Sequence, residues 1–310
     1  MHEDLPQNHD LSALAMLFSS MLCVCFGGNA VAIKIVLSGL GAYTAAGLRF
    51  AMAGTAIFLW AWLTRRRLMV EMGQWHKLFI ISAIFVLQMS LLYHGFDRTT
   101  ASRGVLLSNV QPFFVLFLAH YAIPGDQMTR RKCAGLLMGF AGVAALFVEQ
   151  GNLASDARVG DLLVLSAAFV WACGAVYIKK ILNGFQPHQI VLYQMLFSFP
   201  FFFLGAFFWD TAMIEKMDSQ VIGGLLYQGL VTAALGFVLW IRLLKRYGAV
   251  ALHSFIFIMP VSGVLLGSLV LKETVTWHVV LSLILIAFGI LIVHVRPRKP
   301  APLFLPGRGL

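Results

Sequence analysis

The sequence predicts an all-α integral membrane protein with ten transmembrane helices, arranged as two five-helix repeats of inverted topology. Three observations predict this fold: the composition, the spacing of the apolar blocks, and a segment that occurs twice. Of the 310 residues, 60% are hydrophobic and 12% are charged, and the mean hydropathy is +0.84. A soluble domain is about half apolar and about a quarter charged. The composition therefore indicates a chain that lies mostly in lipid.

The apolar residues are grouped in blocks of about 20, the length that a helix needs to cross roughly 30 Å of hydrocarbon. The first block is too long, and its leader too acidic, for a cleaved signal peptide. The basic, proline-rich residues 298–310 are expected to form a disordered tail. The predicted spans are residues 12–38, 42–64, 75–97, 101–122, 132–149, 159–182, 187–209, 219–246, 249–271 and 276–295.

The basic residues predict the orientation of these spans. If the N-terminus is cytoplasmic, five of the 23 Lys and Arg residues lie in the segments or span ends on the outer side: Arg98, Arg103, Arg158, Lys216 and Lys272. Sixteen lie on the other side: Arg65, Arg66, Arg67, Lys77, Arg130, Arg131, Lys132, Lys179, Lys180, Arg242, Lys245, Arg246, Arg296, Arg298, Lys299 and Arg308. Cytoplasmic loops carry such an excess, so both termini are expected in the cytoplasm, with the protein in the inner (plasma) membrane. The net charge of +10 then reflects topology and contacts with anionic lipids, and no nucleic-acid partner is expected.

A repeated segment divides the chain into halves. "FGGNAVAIKIVLSG" at residues 26–39 and "WACGAVYIKKILNG" at 171–184 share six of fourteen positions, including Lys34 and Lys179. Pro112 and Pro260 lie near the middle of the fourth and ninth spans, and each is followed by an acidic residue, Asp126 or Glu273. These landmarks predict repeats at residues 1–150 and 158–297. Five spans per repeat is an odd number, so the second repeat enters the membrane from the opposite side.

These features resemble the drug/metabolite transporter superfamily, in its ten-span form with two EamA domains. The matching stretches are "FGGNAVAIK", "LRFAMAG", the mid-span Pro112 and "PVSGVLLGSLVLKE". Gly125-Asp126 and Phe26-Gly27 depart from the family's usual residues. The resemblance implies export of a small metabolite, most often an amino acid, by alternating access through a central cavity. A drug or nucleotide-sugar carrier of the same fold is the alternative.

Six residues are candidates for binding the substrate, because they are polar or aromatic and lie near paired helix interruptions. Asn29 either lines the site or bonds to another helix, since an unpaired amide is costly in hydrocarbon. Asn109 either binds substrate or satisfies the carbonyl freed by Pro112. Trp171 either stacks on a ligand or packs in the core. The full set is Asn29, Tyr93, His94, Asn109, Gln111 and Trp171.

A second set is predicted to act in gating. Inversion puts Lys34 and Lys179 at opposite mouths of one path, where each either guards its mouth or extends to the lipid headgroups. Arg49 either contacts an anionic group or extends to the lipid headgroups, and we favour a structural role for it. The gating set is Lys34, Lys179, Gly28, Gly174, Pro112 and Pro260.

The sequence indicates neither an enzyme nor a motor. It contains no nucleotide-binding loop, and Cys23 and Cys25 face different sides of a helix, so no cofactor and no metal site are expected. Ser262 and His253 face opposite sides of one helix, which argues against an intramembrane hydrolase. All thirteen carboxylates fall in loops, termini or span ends, which predicts no buried carboxylate and no tight ion coupling. The expected partners are a small-molecule substrate and membrane lipids, with the protein a monomer or homodimer.

Overall fold

The first half of the chain is helical where its apolar blocks predict. A computed structural model describes residues 13–122, 130–148, 155–181, 184–236, 239–240, 243, 255–256 and 258–294. The helices of the first half are α1 (Ala13–Leu37), α2 (Ala42–Leu63), α3 (Trp75–Arg98), α4 (Ala101–Ser108), α5 (Gln111–Ala122) and α6 (Arg130–Val148). A short 3₁₀ turn, Met72–Gln74, precedes α3.

The second half repeats this order, with one unusual element. Its helices are α7 (Ser155–Ile181), α8 (Pro187–Trp209), α9 (Ser219–Leu226), α10 (Ile258–Leu271) and α11 (Trp277–His294). Without a break, α9 continues as a π-helix, Tyr227–Gly236. The described residues form no strand, only an isolated antiparallel bridge between Leu40 and Ile214.

The lengths and composition of these helices fit a multi-pass membrane protein. Six helical stretches in the described part of the chain are long and apolar enough to cross a bilayer: Ala13–Leu37, Ala42–Leu63, Met72–Arg98, Ala101–Leu118, Ser155–Ile178 and His188–Trp209. Three shorter apolar helices accompany them: Cys133–Leu146, Ile258–Leu271 and Trp277–Ile292.

The two halves interlock rather than lie side by side. The most extensive helix contacts all join the first half to the second: α1 packs on α10, α2 on α8, α3 on α7 and α6 on α11. Small residues permit the close approach that membrane helices need. A methyl group on Gly28 would lie 3.0 Å from the Tyr227 hydroxyl, and one on Gly174 would lie 3.3 Å from Ile84. Gly28 and Gly174 therefore serve as packing positions in this conformation.

Two helices begin against carboxylates from the other half of the chain. The backbone N–H groups of Tyr43 and Thr44 donate to the Asp210 carboxylate at 3.1 and 2.8 Å, at the start of α2. The N–H groups of Ala101 and Ser102 donate to Glu273 at 2.6 and 2.9 Å, at the start of α4. The first N–H groups of a helix have no partner within the helix and carry its positive dipole end, so an acidic residue stabilises them.

Both carboxylates lie at the same end of the bundle, together with the bridge from Leu40 to Ile214. We call this the capped end, defined by residues 38–44, 99–103, 210–218 and 272–276. At the opposite end, the loop after α2 contacts the start of α8. Gln189 Nε2 donates to the carbonyls of Arg67 and Met69 at 3.2 and 2.9 Å there.

Candidate functional site

A chain of buried polar side chains links four elements inside the bundle. Arg49 Nη1 on α2 lies 3.4 Å from the hydroxyl of Tyr93 on α3. That hydroxyl donates to Gln228 Oε1, in the π-helix, at 2.6 Å. Gln228 Nε2 in turn donates to the carbonyl of Ala32 on α1 at 3.0 Å. Tyr93 is 1% exposed and Gln228 is 0% exposed, so these bonds form away from water.

A second hydrogen bond joins the π-helix to α1 beside this chain. Thr232 Oγ1 lies 3.1 Å from Asn29 Oδ1 and 2.8 Å from the Gln228 carbonyl. One turn earlier on α1, the Cys25 carbonyl accepts the Tyr227 hydroxyl at 2.7 Å. Asn29 is only half-buried, and its amide nitrogen has no hydrogen-bond partner among the described residues. Both alternatives for Asn29 thus keep support: its oxygen bonds to another helix, while its nitrogen is free to meet a ligand.

Sequence reasoning missed the two π-helical members of this cluster. Gln228 and Thr232 lie within a block that was interpreted only as the eighth span. A glutamine in the middle of an apolar span was the available signal, because a side-chain amide in hydrocarbon needs partners. A π-helix changes the direction in which successive side chains point, and such segments are frequent at functional sites. Sequence periodicity gives no indication of it.

Arg49 is the unusual member of the cluster. It is 8% exposed, and among the described residues its Nε has no hydrogen-bond partner and the long contact with Tyr93 is its one side-chain hydrogen bond. The guanidinium also lies over the Phe50 ring, 5.2 Å from the ring centroid. Within the described residues, no carboxylate lies close enough to Arg49 to form an ion pair. A guanidinium carries five N–H donors. Most of them therefore lack an acceptor in the part of the chain that the structure describes.

Lys34 and His94 lie nearer the capped end. Lys34 Nζ donates to the carbonyls of Phe96 and Asp97, at the end of α3, at 2.8 and 3.3 Å. The half-buried His94 ring packs edge-on against Tyr43, with the ring centroids 4.9 Å apart. Lys34 thus contacts backbone carbonyls near the capped end, and its predicted gating role stays a prediction. The side chain of Lys179, its counterpart in the repeat, lies outside the described residues.

The fourth predicted span is interrupted where Pro112 indicates. The first of its two helices ends at Ser108, the second begins at Gln111, and Pro112 lies in the first turn of α5, where a missing N–H costs little. Ser108 Oγ and Asn109 Nδ2 both donate to the carbonyl of Val105, at 3.0 and 2.8 Å. That carbonyl also accepts the N–H of Asn109 at 3.1 Å, so these bonds tie the two side chains to the end of α4 and do not replace the N–H that Pro112 lacks. Gln111, the first residue of α5, is half-buried.

Pro260 and Trp171 differ in burial. Pro260 is buried in the first turn of α10 as the structure describes that helix, so it resembles Pro112 in its place on the helix. Trp171 lies two turns after Val164, on the same helical face. Val164 is 0% exposed, whereas Trp171 is 44% exposed and accessible to a ligand or to lipid.

One expectation from the sequence is wrong. Asp161 is a fully buried carboxylate, 0% exposed, although no buried carboxylate was expected. It accepts from Arg103 Nε at 3.0 Å and forms an ion pair with that guanidinium, while Thr99 donates to its other oxygen. Asp161 falls at the start of its span, but the packing of α3, α4 and α7 removes it from water. Because a buried carboxylate is present, the composition of the spans no longer argues against ion coupling.

The described residues contain no group of three or more His, Cys, Asp or Glu side chains arranged to hold a metal ion. Ser262 donates to the carbonyl of Met259 at 3.1 Å, one turn earlier on α10. His253, the other half of the hydrolase alternative, lies outside the described residues. What the described part of the site offers is a set of hydrogen-bonding groups and one cation, an arrangement suited to binding a small polar molecule.

Both halves of the chain match one family model, described as the EamA-like transporter family, over residues 13–148 and 158–295. The helical bundle and this match define a membrane transporter rather than an enzyme. The chain belongs to the EamA-like transporter family, as its resemblance to the drug/metabolite transporters predicted.

Several proteins are similar over most of the chain. A probable amino-acid metabolite efflux pump of Escherichia coli (strain K12) is 29% identical over 281 residues, covering 88% of this chain and 92% of that protein. The uncharacterized transporter YoaV of Bacillus subtilis (strain 168) is 24% identical over 277 residues, covering 89% and 94%. A solved crystal structure superposes with a TM-score of 0.67 at 16% identity, over 90% of this chain and 98% of that one. It has the same fold.

Proposed function

We propose that this transporter exports a small metabolite, in the first place amino acids, by alternating access through a central cavity between its halves. The polar cluster of Arg49, Tyr93, Gln228, Thr232 and Asn29 is the observation that carries the proposal. Hydrogen-bonding groups are expensive inside a membrane, so a cluster of them in the bundle interior is a candidate substrate site. The efflux pump of Escherichia coli, similar at 29% identity, favours amino acids among the small metabolites.

The helix contacts support ten spans in two inverted repeats. We count α4 with α5 as the fourth span and α9 with the π-helix as the eighth. Each of the four major helix pairs then has a counterpart, formed by the two spans that lie five positions away in the span order. The pair α1–α10 corresponds to α7 with α4 and α5, and α3–α7 corresponds to α1 with α9 and the π-helix. The pairs α2–α8 and α6–α11 correspond to themselves. A pseudo-two-fold axis in the membrane plane relates repeats in this way.

The capped end is proposed to be the closed mouth. Asp210 and Glu273 hold the starts of α2 and α4, and Lys34 holds the end of α3. The Asp210 and Glu273 contacts join the two halves, which alternating access must separate, so they are expected to open when substrate leaves. The Lys34 contact joins α1 to α3 within the first half and is proposed to hold the same mouth closed. Lys179, Gly174 and Pro260 are proposed to act at the other mouth, and His94, Asn109, Gln111 and Trp171 to line the path.

Uptake into proteoliposomes tests the proposal. With no ion gradient imposed, purified protein should carry radiolabelled L-leucine, L-phenylalanine or another member of an amino-acid panel down its gradient, saturably and above empty liposomes. Because Asp161 is held in an ion pair with Arg103, we expect an imposed proton gradient to drive no accumulation. Accumulation in the wild type that is lost in Asp161→Asn would contradict uncoupled transport. Uptake of drugs or nucleotide sugars in place of every amino acid would move the protein to the alternative substrate class.

A further inference from the structure

We propose that Arg49 is the carboxylate-binding residue of this transporter, so that its substrates are small molecules bearing a free carboxylate. This inference rests on the proposed transport function and specifies its substrate class. The α-carboxylate of an amino acid is one such group. The guanidinium of Arg49 would bind it, while Asn29 and Thr232 supply hydrogen-bonding groups for the rest of the polar end.

The charge of Arg49 carries the inference. A buried cation without an anionic partner is costly, and the described residues supply Arg49 with neither a carboxylate nor an acceptor for its Nε. Such unsatisfied buried groups are rare in folded proteins. In a membrane bundle they mark the path of a substrate or an ion. A bound carboxylate would satisfy both the charge and the free donors.

The other buried arginine shows how this fold treats a structural guanidinium. Arg103 is 4% exposed, is paired with Asp161, and also donates to the carbonyl of Leu146 at 2.9 Å. Arg49 is 8% exposed, nearly as buried, yet among the described residues it has one long hydrogen bond, at 3.4 Å, and a stacking contact with the Phe50 ring, 5.2 Å from the ring centroid. The alternative interpretation, in which Arg49 extends to the lipid headgroups, does not fit a side chain that is this buried.

The neighbours of Arg49 leave it available for a ligand. The hydroxyl proton of Tyr93 goes to Gln228, so only the Tyr93 oxygen faces the guanidinium, as a neutral acceptor. Gln228 is fixed in turn by Ala32, which prevents its oxygen from turning toward Arg49. A planar guanidinium binds a carboxylate through two parallel N–H bonds, and this geometry is specific for a planar anion.

Thermal unfolding of the purified full-length protein tests the inference independently of transport. Butyrate and L-leucine should raise the melting temperature of the wild type, whereas butyramide and L-leucinamide at equal concentration should not. In Arg49→Gln, the apparent affinity for butyrate should fall at least about tenfold, the loss expected for a charge-assisted hydrogen bond. Arg98→Gln, which changes a partly exposed arginine at the capped end, should leave the butyrate response unchanged.

A second variant tests the inference even if Arg49→Gln does not fold. In Gln228→Glu a carboxylate is placed one hydroxyl away from Arg49, so the butyrate response should disappear. Because this variant also loses the N–H donated to Ala32, its ligand-free melting curve serves only to show that it is folded. Equal stabilisation of the wild type by butyrate and butyramide, or an unchanged butyrate response in both variants, would overturn the inference. Stabilisation by sulfate or inorganic phosphate as strong as that by butyrate would also overturn it in favour of a general anion site.

The inference and the proposed function fail in different ways. If butyrate stabilises the wild type but not Arg49→Gln, while proteoliposomes carry no amino acid, the carboxylate site stands and amino-acid transport is wrong. If proteoliposomes carry L-leucine and L-leucinamide equally well, and Arg49→Gln carries both at the wild-type rate, transport stands and the carboxylate site is wrong.

Discussion

The contribution of an arginine to the stability of this protein depends on the burial of its ion pair. Arg98 and Arg103 are five positions apart at one end of the bundle, and each forms an ion pair with a residue of α7. The Arg98–Asp156 pair is exposed, with the carboxylate side chain 72% accessible, whereas the Arg103–Asp161 side chains are 5% and 0% accessible. An exposed pair contributes little, because water screens it, while a buried charge that loses its partner is strongly unfavourable.

We therefore expect Arg103→Ala to lower the free energy of unfolding by about 3–5 kcal/mol, because it removes the cation that offsets the charge of the buried Asp161 carboxylate. Asp156→Ala, the matched change in the exposed pair, should lower it by no more than about 1 kcal/mol. Denaturant unfolding in detergent micelles, followed by far-UV circular dichroism, measures both values. Similar losses in the two variants would show that Asp161 reaches water or another partner when Arg103 is absent.

At the scale of elements, helices are joined across the halves through their first turns. Glu273, between α10 and α11, caps α4, and Asp210, after α8, caps α2. Asp218 caps its own helix instead, accepting from the N–H of Val221 at 2.9 Å. That hydrogen bond, together with the Lys216 ammonium, lowers the pKa of the Asp218 carboxyl. Caps supplied from a distant segment can open without unfolding the helix, whereas a local cap only stabilises it.

Glu273→Gln should open the capped end more often, because an amide replaces the charged acceptor at the start of α4. A cap is worth about 1 kcal/mol, so the accessible population should rise about fivefold. The rate of thiol labelling at Val105→Cys, a position 3% exposed beneath the cap, measures this in a cysteine-free background. Lys34→Ala should have the same direction of effect.

Glu215→Gln is the control for these variants, since Glu215 is an exposed acid at the same end whose side chain makes no hydrogen bond among the described residues. Labelling that is equally fast in the wild type, Glu273→Gln and Lys34→Ala would show that the Glu273 and Lys34 contacts stabilise the helices without controlling the opening of the capped end.

The whole molecule depends on both halves being present together. The core includes residues of α1, α2, α3, α8 and α10 packed around one another, and each major contact crosses between the halves. If the halves are inverted repeats, as proposed, their interlocking would permit alternating access, because rocking one half against the other would expose the shared interior first to one side and then to the other.

The orientation of that molecule gives a further prediction. Reporter fusions after Lys132 should report the cytoplasm and fusions after Arg158 the outside, because sixteen basic residues lie on one predicted side and five on the other. Alkaline phosphatase and green fluorescent protein fusions measure the two locations with opposite signals. The reverse pattern at both sites would contradict the predicted topology, while the same location at both would contradict a span between them.

The sequence by itself determined where several of the helices begin and end. Hydrocarbon requires about 20 apolar residues per crossing, so α1, α2, α3 and α8 begin and end within two residues of the blocks that predict them. Pro112 likewise located the break between α4 and α5, because proline cannot supply the N–H that a continuous helix needs. Asn29 and Tyr93, predicted as site residues, lie in the polar cluster, whose binding role stays a prediction.

Only the tertiary structure decided which faces meet. The membrane helices are apolar around their whole circumference, since lipid and helix neighbours are equally apolar, so their sequences carry little information about orientation. The partners of Gln228, the burial of Asp161 and the caps at Asp210 and Glu273 each depend on which helices adjoin. The same holds for Arg49: its position in α2 is fixed by the sequence, but its lack of an anionic partner among the described residues is a property of the assembled bundle.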